Sequence, residues 1–268
     1  MRLITFVFFT LFILALLAHA LPQPEYANKM SAVLYDSLQD KYYFYGVNPT
    51  RKIYPASLTK LIMALAIYEH QATHLHKKIF CEGINPETQK KLTNEEFVCY
   101  EFHNIVGLQA ALAYSCNSFF KSYIENTPAK SLQKDFKKLG WSISLPDKVS
   151  LKQSWRIFMG VDQRSMISLT DLIKVLRKIT AHKYFPQLYQ ALWIGREQGT
   201  TSLLKDKKYL GLIGKTGTKI ISPHQIEGIF AGWAPEENPR YYIVVHVADS
   251  RGKDLPVIFA SEILKKHL

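Results

Sequence analysis

Lys215-Thr216-Gly217-Thr218 lies within residues 210–218, a stretch that is typical of a β-strand. A glycine weakens the interior of a strand unless a ligand or another backbone segment must come close to it. A lysine and hydroxyl groups along an edge strand could bind a carboxylate, while the free amides of the strand pair with a peptide-like ligand. The stretch therefore indicates either a recognition strand or an ordinary strand with a bulge, and the rest of the sequence must distinguish them.

Strand patterns occur on both sides of a helical middle. β-Branched and aromatic residues predict further strands at residues 31–35, 41–45, 228–233 and 241–248. A helical pattern begins at Leu58, and another helix closes the chain from Pro256. We predict an α/β (α+β) fold with one antiparallel sheet, flanked by the N- and C-terminal helices, and an all-helical lobe.

The domain boundaries follow from the same patterns. The α/β lobe is predicted at about residues 21–70 and 205–268, and the helical lobe at about residues 71–204. One predicted helix of the middle covers residues 168–181, with Ser168 or Thr170 as its N-cap. A cleft between the lobes is the expected place for a ligand.

Ser57-Leu58-Thr59-Lys60 is a second candidate segment. The chain contains five Ser-x-x-Lys tetrads, but only this one opens an apolar helix directly after a Pro-Ala loop. A serine at a helix N-terminus lies in a positive field, and its free amide can bind an oxyanion. Lys60 lies one turn further on the same face, and burial would lower its pKa enough for it to act as a base. The alternative is that Ser57 is merely an N-cap and Lys60 a surface residue.

Ser115-Cys116-Asn117 is the only Ser-x-Asn in the chain, and it follows an apolar helix. In a helix-terminal turn, both side chains can point into a cleft. The hydroxyl of Ser115 could relay a proton, and the amide of Asn117 could hold a substrate amide. The alternative is ordinary turn chemistry at a helix end.

In their order along the chain, these three segments resemble the penicillin-recognising serine acyltransferases, which carry Ser-x-x-Lys, Ser-Asp-Asn-like and Lys-Thr-Gly elements. Three longer stretches are similar to the transpeptidase domain of penicillin-binding proteins: Pro55 to Leu61, Ala111 to Phe120, and Gly228 to Pro235. The resemblance covers nearly all of the mature chain and includes the related serine β-lactamases.

The resemblance implies a role for each candidate residue. Ser57 would be the nucleophile and Lys60 the general base. Ser115 would relay a proton to the leaving group, with electrostatic support from Lys215. The substrate-binding residues would be Asn117, Thr216, Gly217 and Thr218. Asn117 would bind the amide of the substrate, and the two threonines would hold the carboxylate of the substrate. The amides of Ser57 and Thr218 would form the oxyanion hole.

Three functions stay open at this point. The first is an exported D,D-acyltransferase, either a transpeptidase or a carboxypeptidase, that acts on peptidoglycan stem peptides and binds β-lactams. The second is a β-lactamase most similar to class D, whose members use a carboxylated lysine and a Ser-x-Val motif; Asn117 departs from that motif. The third is a non-catalytic β-lactam sensor or binding module. No segment matches the Glu-x-x-Leu-Asn of class A enzymes.

The N-terminus is typical of a secretory signal peptide over residues 1–20. Met1-Arg2 is positive, Leu3 to Leu17 is almost purely apolar, and Ala18-His19-Ala20 is a small-x-small cleavage signal. An uncleaved anchor is the alternative, but the apolar run is short for a membrane span. We therefore expect an exported protein in the periplasm or cell envelope.

Charge and cysteine content bound the partners and cofactors. The net charge of +12 favours an anionic neighbour, either an envelope polymer or a membrane surface rather than nucleic acid. Cys81 and Cys99 could form a disulfide in an oxidising compartment, which leaves Cys116 as a small apolar filler. No spacing of Cys and His is typical of a metal site, so we predict neither a metal nor another cofactor.

Overall fold

Five antiparallel strands form the central sheet of the protein. The computed structural model describes residues 28–70, 72–83, 98–99, 101–205, 211–222 and 224–268. The strands are β1 (Met30–Asp36), β2 (Lys41–Gly46), β7 (Ile213–Ser222), β8 (Gln225–Ala234) and β9 (Tyr241–Ala248). Their order across the sheet is β2-β1-β9-β8-β7. The two ends of the chain therefore supply one sheet, and β7 is an outer strand whose second edge is left for other contacts.

Alternate residues of each strand point to opposite faces of the sheet, and a buried core covers each face. Val33 and Tyr35 belong to a large core shared with the helices, whereas Ala32 and Leu34 belong to a smaller core on the other face. The closing helix, α9 (Leu255–Lys265), packs into that smaller core. A fully buried Val or Leu side chain contributes roughly 1.5–3 kcal/mol to the free energy of folding. Burial on both faces therefore stabilises the sheet.

The helices between β2 and β7 share the large core, which continues to the sheet without interruption. They are α1 (Thr59–His70), α2 (Ala72–Leu75), α3 (Leu108–Ala113), α4 (Asn117–Glu125), α5 (Ala129–Lys138), α6 (Leu151–Phe158), α7 (Leu169–Thr180) and α8 (Phe185–Gln198). Two short strand pairs complete this part: β3 (Lys52–Ile53) with β6 (Ile167–Ser168), and β4 (Ile79–Cys81) with β5 (Asn104–Val106). Short 3₁₀ turns lie at Ala56–Leu58, Gln163–Ser165 and Ser202–Lys205.

The predicted fold class is confirmed, and the structure adds detail that periodicity did not give. Ser168 caps α7 by accepting a hydrogen bond from the Asp171 amide. α7 lies directly against β1, β8 and β9, so it covers the sheet although its sequence position is in the helical middle. The division into lobes near residues 70 and 205 stays a prediction.

The predicted signal peptide, residues 1–20, lies outside the described residues. Within the part of the chain that the structure describes, no helix is both long and apolar enough to span a membrane.

Candidate active site

Ser57 lies in the 3₁₀ turn that leads into α1, where it is partly exposed at a cleft. The preceding residue, Ala56, has a φ of 46°, in the left-handed region that costs a non-glycine residue energy. Its amide donates to the carbonyl of Gly160 at 3.0 Å. Gly160 itself has a φ of 74°, and a Cβ there would lie 2.5 Å from the Ala56 carbonyl oxygen. Close backbone packing therefore holds the Ser57 turn from behind.

Gly217 brings β7 against the same turn from the other side. A Cβ on Gly217 would lie 2.8 Å from the carbonyl oxygen of Pro55 and 3.3 Å from the Cβ of Ala56. The pairing of β7 with β8 is regular at Gly217, and its irregularity lies between Ile220 and Ser222. The glycine thus serves a close approach of two backbone segments rather than a bulge, and the Lys-Thr-Gly strand lies beside Ser57.

Ser115 connects the two lysines of the site. It lies between α3 and α4 with a φ of 59°, a conformation rare for a serine. Lys60 Nζ donates to its carbonyl oxygen at 2.7 Å and lies 3.3 Å from its Oγ. Lys215 Nζ donates to the same Oγ at 2.9 Å and to the carbonyl of Thr216 at 3.0 Å. The hydroxyl of Ser115 therefore bridges α1 and β7, as a proton relay requires.

Asn117 completes the surroundings of Lys60. Its Oδ1 accepts from Lys60 Nζ at 2.6 Å, while its Nδ2 donates to the carbonyl of Val98 at 3.2 Å. The second bond fixes which end of the amide faces the lysine. An ammonium has three hydrogens to donate, and three acceptor oxygens surround Nζ. This environment suits a lysine that exchanges a proton. It is unfavourable for a carboxylated lysine, because the three oxygens would face the anionic carbamate.

Burial prepares both lysines to lose a proton. Lys60 is 0% and Lys215 1% exposed. Burial lowers the pKa of Lys60 to about 8, against a smaller opposing effect of the nearby cysteines. Burial also lowers the pKa of Lys215 well below its usual range, and the charge of Lys60 lowers it further. Two ammonium groups on one hydroxyl repel each other, so the pair favours one neutral amine near neutral pH.

The cleft beside these groups has a volume of about 180 Å³. It is lined by Ser57, Ser115, Asn117, Thr216, Gly217 and Thr218, so every predicted site residue except the two lysines beneath its floor faces it. The described residues thus bring all eight predicted site residues to one place. A family profile described as the penicillin binding protein transpeptidase domain matches residues 24–265. The chain belongs to this family.

Similarities to individual proteins agree with this family assignment. A curated relative, the regulatory protein BlaR1 of Staphylococcus aureus, is 26% identical over 246 residues, which are 90% of this chain and 38% of BlaR1. The chain therefore spans well under half the length of that relative. PBP2 of Pseudomonas aeruginosa, solved in complex with a ligand, has a TM-score of 0.71 at 14% identity, covering 90% of this chain and 74% of the other. The transpeptidase domain of FtsI4 from Legionella pneumophila has a TM-score of 0.63 at 17% identity and is covered to 91% in both chains.

Sequence reasoning missed several residues of the transpeptidase cleft. Arg251 and Lys253 follow β9 and line the cleft together with Glu101, whose carboxylate lies 3.7 Å from Lys253 Nζ. Between Arg251 and Lys253, the amide of Gly252 donates to the Thr218 hydroxyl at 3.0 Å. The predicted role of Thr218 toward a carboxylate therefore has Arg251 as support, while the charge of Lys253 is opposed by that of Glu101. The signals in the sequence were two basic residues after a predicted strand and a Ser-x-x-Lys tetrad that does not open a helix, and neither one points to a cleft.

The cysteines also differ from expectation. Cys81, Cys99 and Cys116 are all buried and free, so the structure does not contain the Cys81–Cys99 disulfide considered above. Cys116 is not merely an apolar filler, because its Sγ lies 3.7 Å from that of Cys99. The separation of these residues along the chain concealed their grouping, which also includes His103.

Proposed function

We propose that this domain is an exported serine acyltransferase of the penicillin-binding type, which forms an acyl-enzyme at Ser57 with peptidoglycan stem peptides and with β-lactams. The observation that carries the proposal is the hydroxyl of Ser115, which lies 3.3 Å from Lys60 Nζ and 2.9 Å from Lys215 Nζ beside the Ser57 turn. The predicted signal peptide supports export to the periplasm or cell envelope.

Acylation would begin with proton transfer from the Ser57 hydroxyl to the neutral amine of Lys60. The Ser57 oxygen attacks the carbonyl carbon of the scissile amide, and the backbone amides of Ser57 and Thr218 stabilise the oxyanion. When the C–N bond breaks, the nitrogen takes a proton from Ser115, which regains one from the lysine pair. An ester on Ser57 remains, and an acceptor amine or water then releases it.

Substrate would be held by the free edge of β7 and by the positive end of the cleft. The amide of Asn117 binds a substrate amide, and Thr216 and Thr218 bind the terminal carboxylate. Arg251 adds attraction for a carboxylate-bearing substrate, whereas the charge of Lys253 is opposed by Glu101, which lies 3.7 Å from it and lines the same cleft. D,D-peptides and penicillins share a carboxylate close to the scissile amide, so one site serves both.

A sensor is the second candidate, because the 26% identity to a regulatory protein covers 90% of this chain. In that case, Ser57 would be acylated by a β-lactam and would stay acylated, without turnover of peptides. A class D-like β-lactamase is the least favoured alternative. The three acceptor oxygens around Lys60 Nζ oppose the carboxylated lysine that such an enzyme uses.

Intact-mass spectrometry of the mature protein with benzylpenicillin, followed over time, separates these functions. The proposal predicts a lasting adduct on the wild type, none on Ser57→Ala, and release of D-alanine from a peptide ending in D-Ala-D-Ala. A lasting adduct without D-alanine release would favour the sensor. An adduct that disappears while penicillin is consumed would indicate a β-lactamase. A folded protein that forms no adduct would refute Ser57 as the nucleophile.

A further inference from the structure

Three cysteines and one histidine meet behind the turn that carries Ser115 and Asn117. The Sγ atoms of Cys81, Cys99 and Cys116 and a ring nitrogen of His103 all lie within 4.8 Å of one another. Cys81 ends β4, Cys99 and His103 precede β5, and Cys116 is the N-cap of α4. Folding therefore gathers potential ligands from three segments, which explains why no metal-binding spacing is visible in the sequence.

Two distances within this cluster match those around one tetrahedral ion, and the other pairs of ligand atoms lie within 4.8 Å. Zn–S bonds of about 2.3 Å and Zn–N bonds of about 2.0–2.1 Å place two sulfurs about 3.8 Å apart, and a sulfur and a nitrogen about 3.5 Å apart. Cys99 and Cys116 are separated by 3.7 Å, and Cys81 Sγ and His103 Nδ1 by 3.4 Å. A disulfide would instead require a sulfur separation of about 2.05 Å.

We propose that Cys81, Cys99, His103 and Cys116 bind one zinc ion. Thiolates and imidazole are the ligands of tetrahedral structural zinc sites, whereas calcium and magnesium require oxygen ligands. Each coordinating thiol gives up its proton to solvent as the metal binds. The proposal is independent of whether the domain acts as an enzyme or as a sensor.

The neighbours of the cluster suit bound thiolates. The backbone amide of Asn117 donates to Cys99 Sγ at 2.9 Å. The hydroxyl of Ser118 lies 3.6 Å from Cys81 Sγ and 3.7 Å from Cys99 Sγ. The His103 ring stacks on Tyr114, with centroids 5.7 Å apart, which fixes the orientation of the ring. Such outer contacts hold metal ligands in place. Cys99 and His103 also line the cleft, which provides an entry path for the ion.

Zinc bound here would fix the turn that the reaction depends on. Cys116 stands between Ser115 and Asn117, and those two residues supply all three acceptors of Lys60 Nζ. The ion would tie this turn to β4 and to the segment before β5. Its role is therefore positioning: it holds Ser115 and Asn117 without touching the substrate.

The test is the metal content of the full mature chain, purified without an affinity tag and measured by plasma mass spectrometry. We expect about one zinc per chain, and at least about tenfold less in Cys99→Ser and in His103→Gln. His76→Gln is the matched control, since His76 is exposed and outside the cluster; it should keep its zinc. Because a ligand variant could misfold, cobalt replacement in the wild type gives a second measurement that needs no substitution. Tetrahedral thiolate coordination should produce intense visible bands and thiolate-to-cobalt charge transfer.

Removal of zinc by a chelator should slow acylation by penicillin, and zinc should restore the rate. Three results would each overturn the proposal: a folded chain without zinc that gives no cobalt spectrum, a mass showing that two of the cysteines form a disulfide in a metal-free protein, or zinc that His103→Gln and Cys99→Ser retain in full.

Discussion

Replacing Gly217 by alanine should damage acylation more than it damages folding. The added Cβ would lie 2.8 Å from the Pro55 carbonyl oxygen and 2.8 Å from Ile229 Cγ2, where ordinary contact begins at 3.4 Å. The backbone must therefore separate by about 0.6 Å, the difference of 3.4 and 2.8, between β7 and the turn that carries Ser57. Overpacking of this kind costs about 1–3 kcal/mol. For a domain of this size, that lowers the melting temperature by about 2–4 °C per kcal/mol.

The same displacement moves Ser57 away from Thr216 and Thr218. A shift of about 1 Å in an active site can cost about 100-fold in rate, so a shift of about 0.6 Å should cost on the order of tenfold. The assay is the rate constant of acylation by a fluorescent penicillin, measured below the melting transition and normalised to folded protein. Melting temperatures measured by calorimetry report the loss of stability separately.

Gly46→Ala is the matched control for this prediction. Gly46 ends β2, at the opposite edge of the sheet from β7. Its φ is 78°, and an added Cβ would lie 2.0 Å from the Met30 carbonyl oxygen, so the substitution should destabilise at least as much. Its folded fraction should acylate at the wild-type rate. Equal acylation by wild type and Gly217→Ala, despite a lower melting temperature, would refute the close approach as the feature that positions Ser57.

Three further predictions concern charge. Acylation of Ser57 should accelerate as the pH rises through about 8, because burial lowers the pKa of Lys60 to about 8 and only the neutral amine accepts a proton; a flat profile from stopped-flow assays would contradict this. Asn117→Asp puts a carboxylate beside Lys60, which raises its pKa, so the same rise should move to higher pH and acylation at neutral pH should slow. Hydrogen bonds from Arg240 lower the pKa of Asp36, so its ionised form stabilises the fold above the unfolded pKa of about 3.9, and this contribution is lost as the pH falls through the folded value. Thermal melts should therefore show Asp36→Asn less stable than wild type at neutral pH, with a difference that shrinks in acid.

The fold could be predicted from the sequence because local patterns and the global fold agree. β9 alternates residues between two cores, and its β-branched stretch alone marks the strand Tyr241–Ala248. α7 begins at the N-cap that Ser168 predicts. α8 is not predicted as a separate helix, because it starts with Phe185-Pro186 and its apolar residues are not confined to the buried face, as the exposed Trp193 shows. Tertiary packing, rather than local preference, defines that helix.

The proximity of site residues could be predicted only where those residues lie in one segment of the chain. Ser57 and Lys60 share one helix start, so their spacing predicts their proximity. The grouping of Cys81, Cys99 and Cys116 depends on how β4 and α4 pack, and no local rule contains that information. Arg251 and Lys253 reach the cleft because β9 pairs with β8, the neighbour of β7, and the segment after β9 contacts Thr218; both are properties of the sheet and not of the local sequence.

The two buried lysines show how the site depends on the whole domain. Lys60 belongs to α1, and its acceptors lie outside that helix. Lys215 belongs to β7, which supplies the Thr216 carbonyl, while Ser115 supplies its other acceptor. Ser115, on a third segment, accepts hydrogen bonds from both lysines, so the burial of each is fully compensated only when the turn between α3 and α4 is in place. Loss of that turn would leave the two buried amines beneath the cleft with fewer hydrogen-bond acceptors. Because of this coupling, a metal ion behind Cys116 could affect stability and acylation together, whereas a change on the far edge of the sheet should affect stability alone.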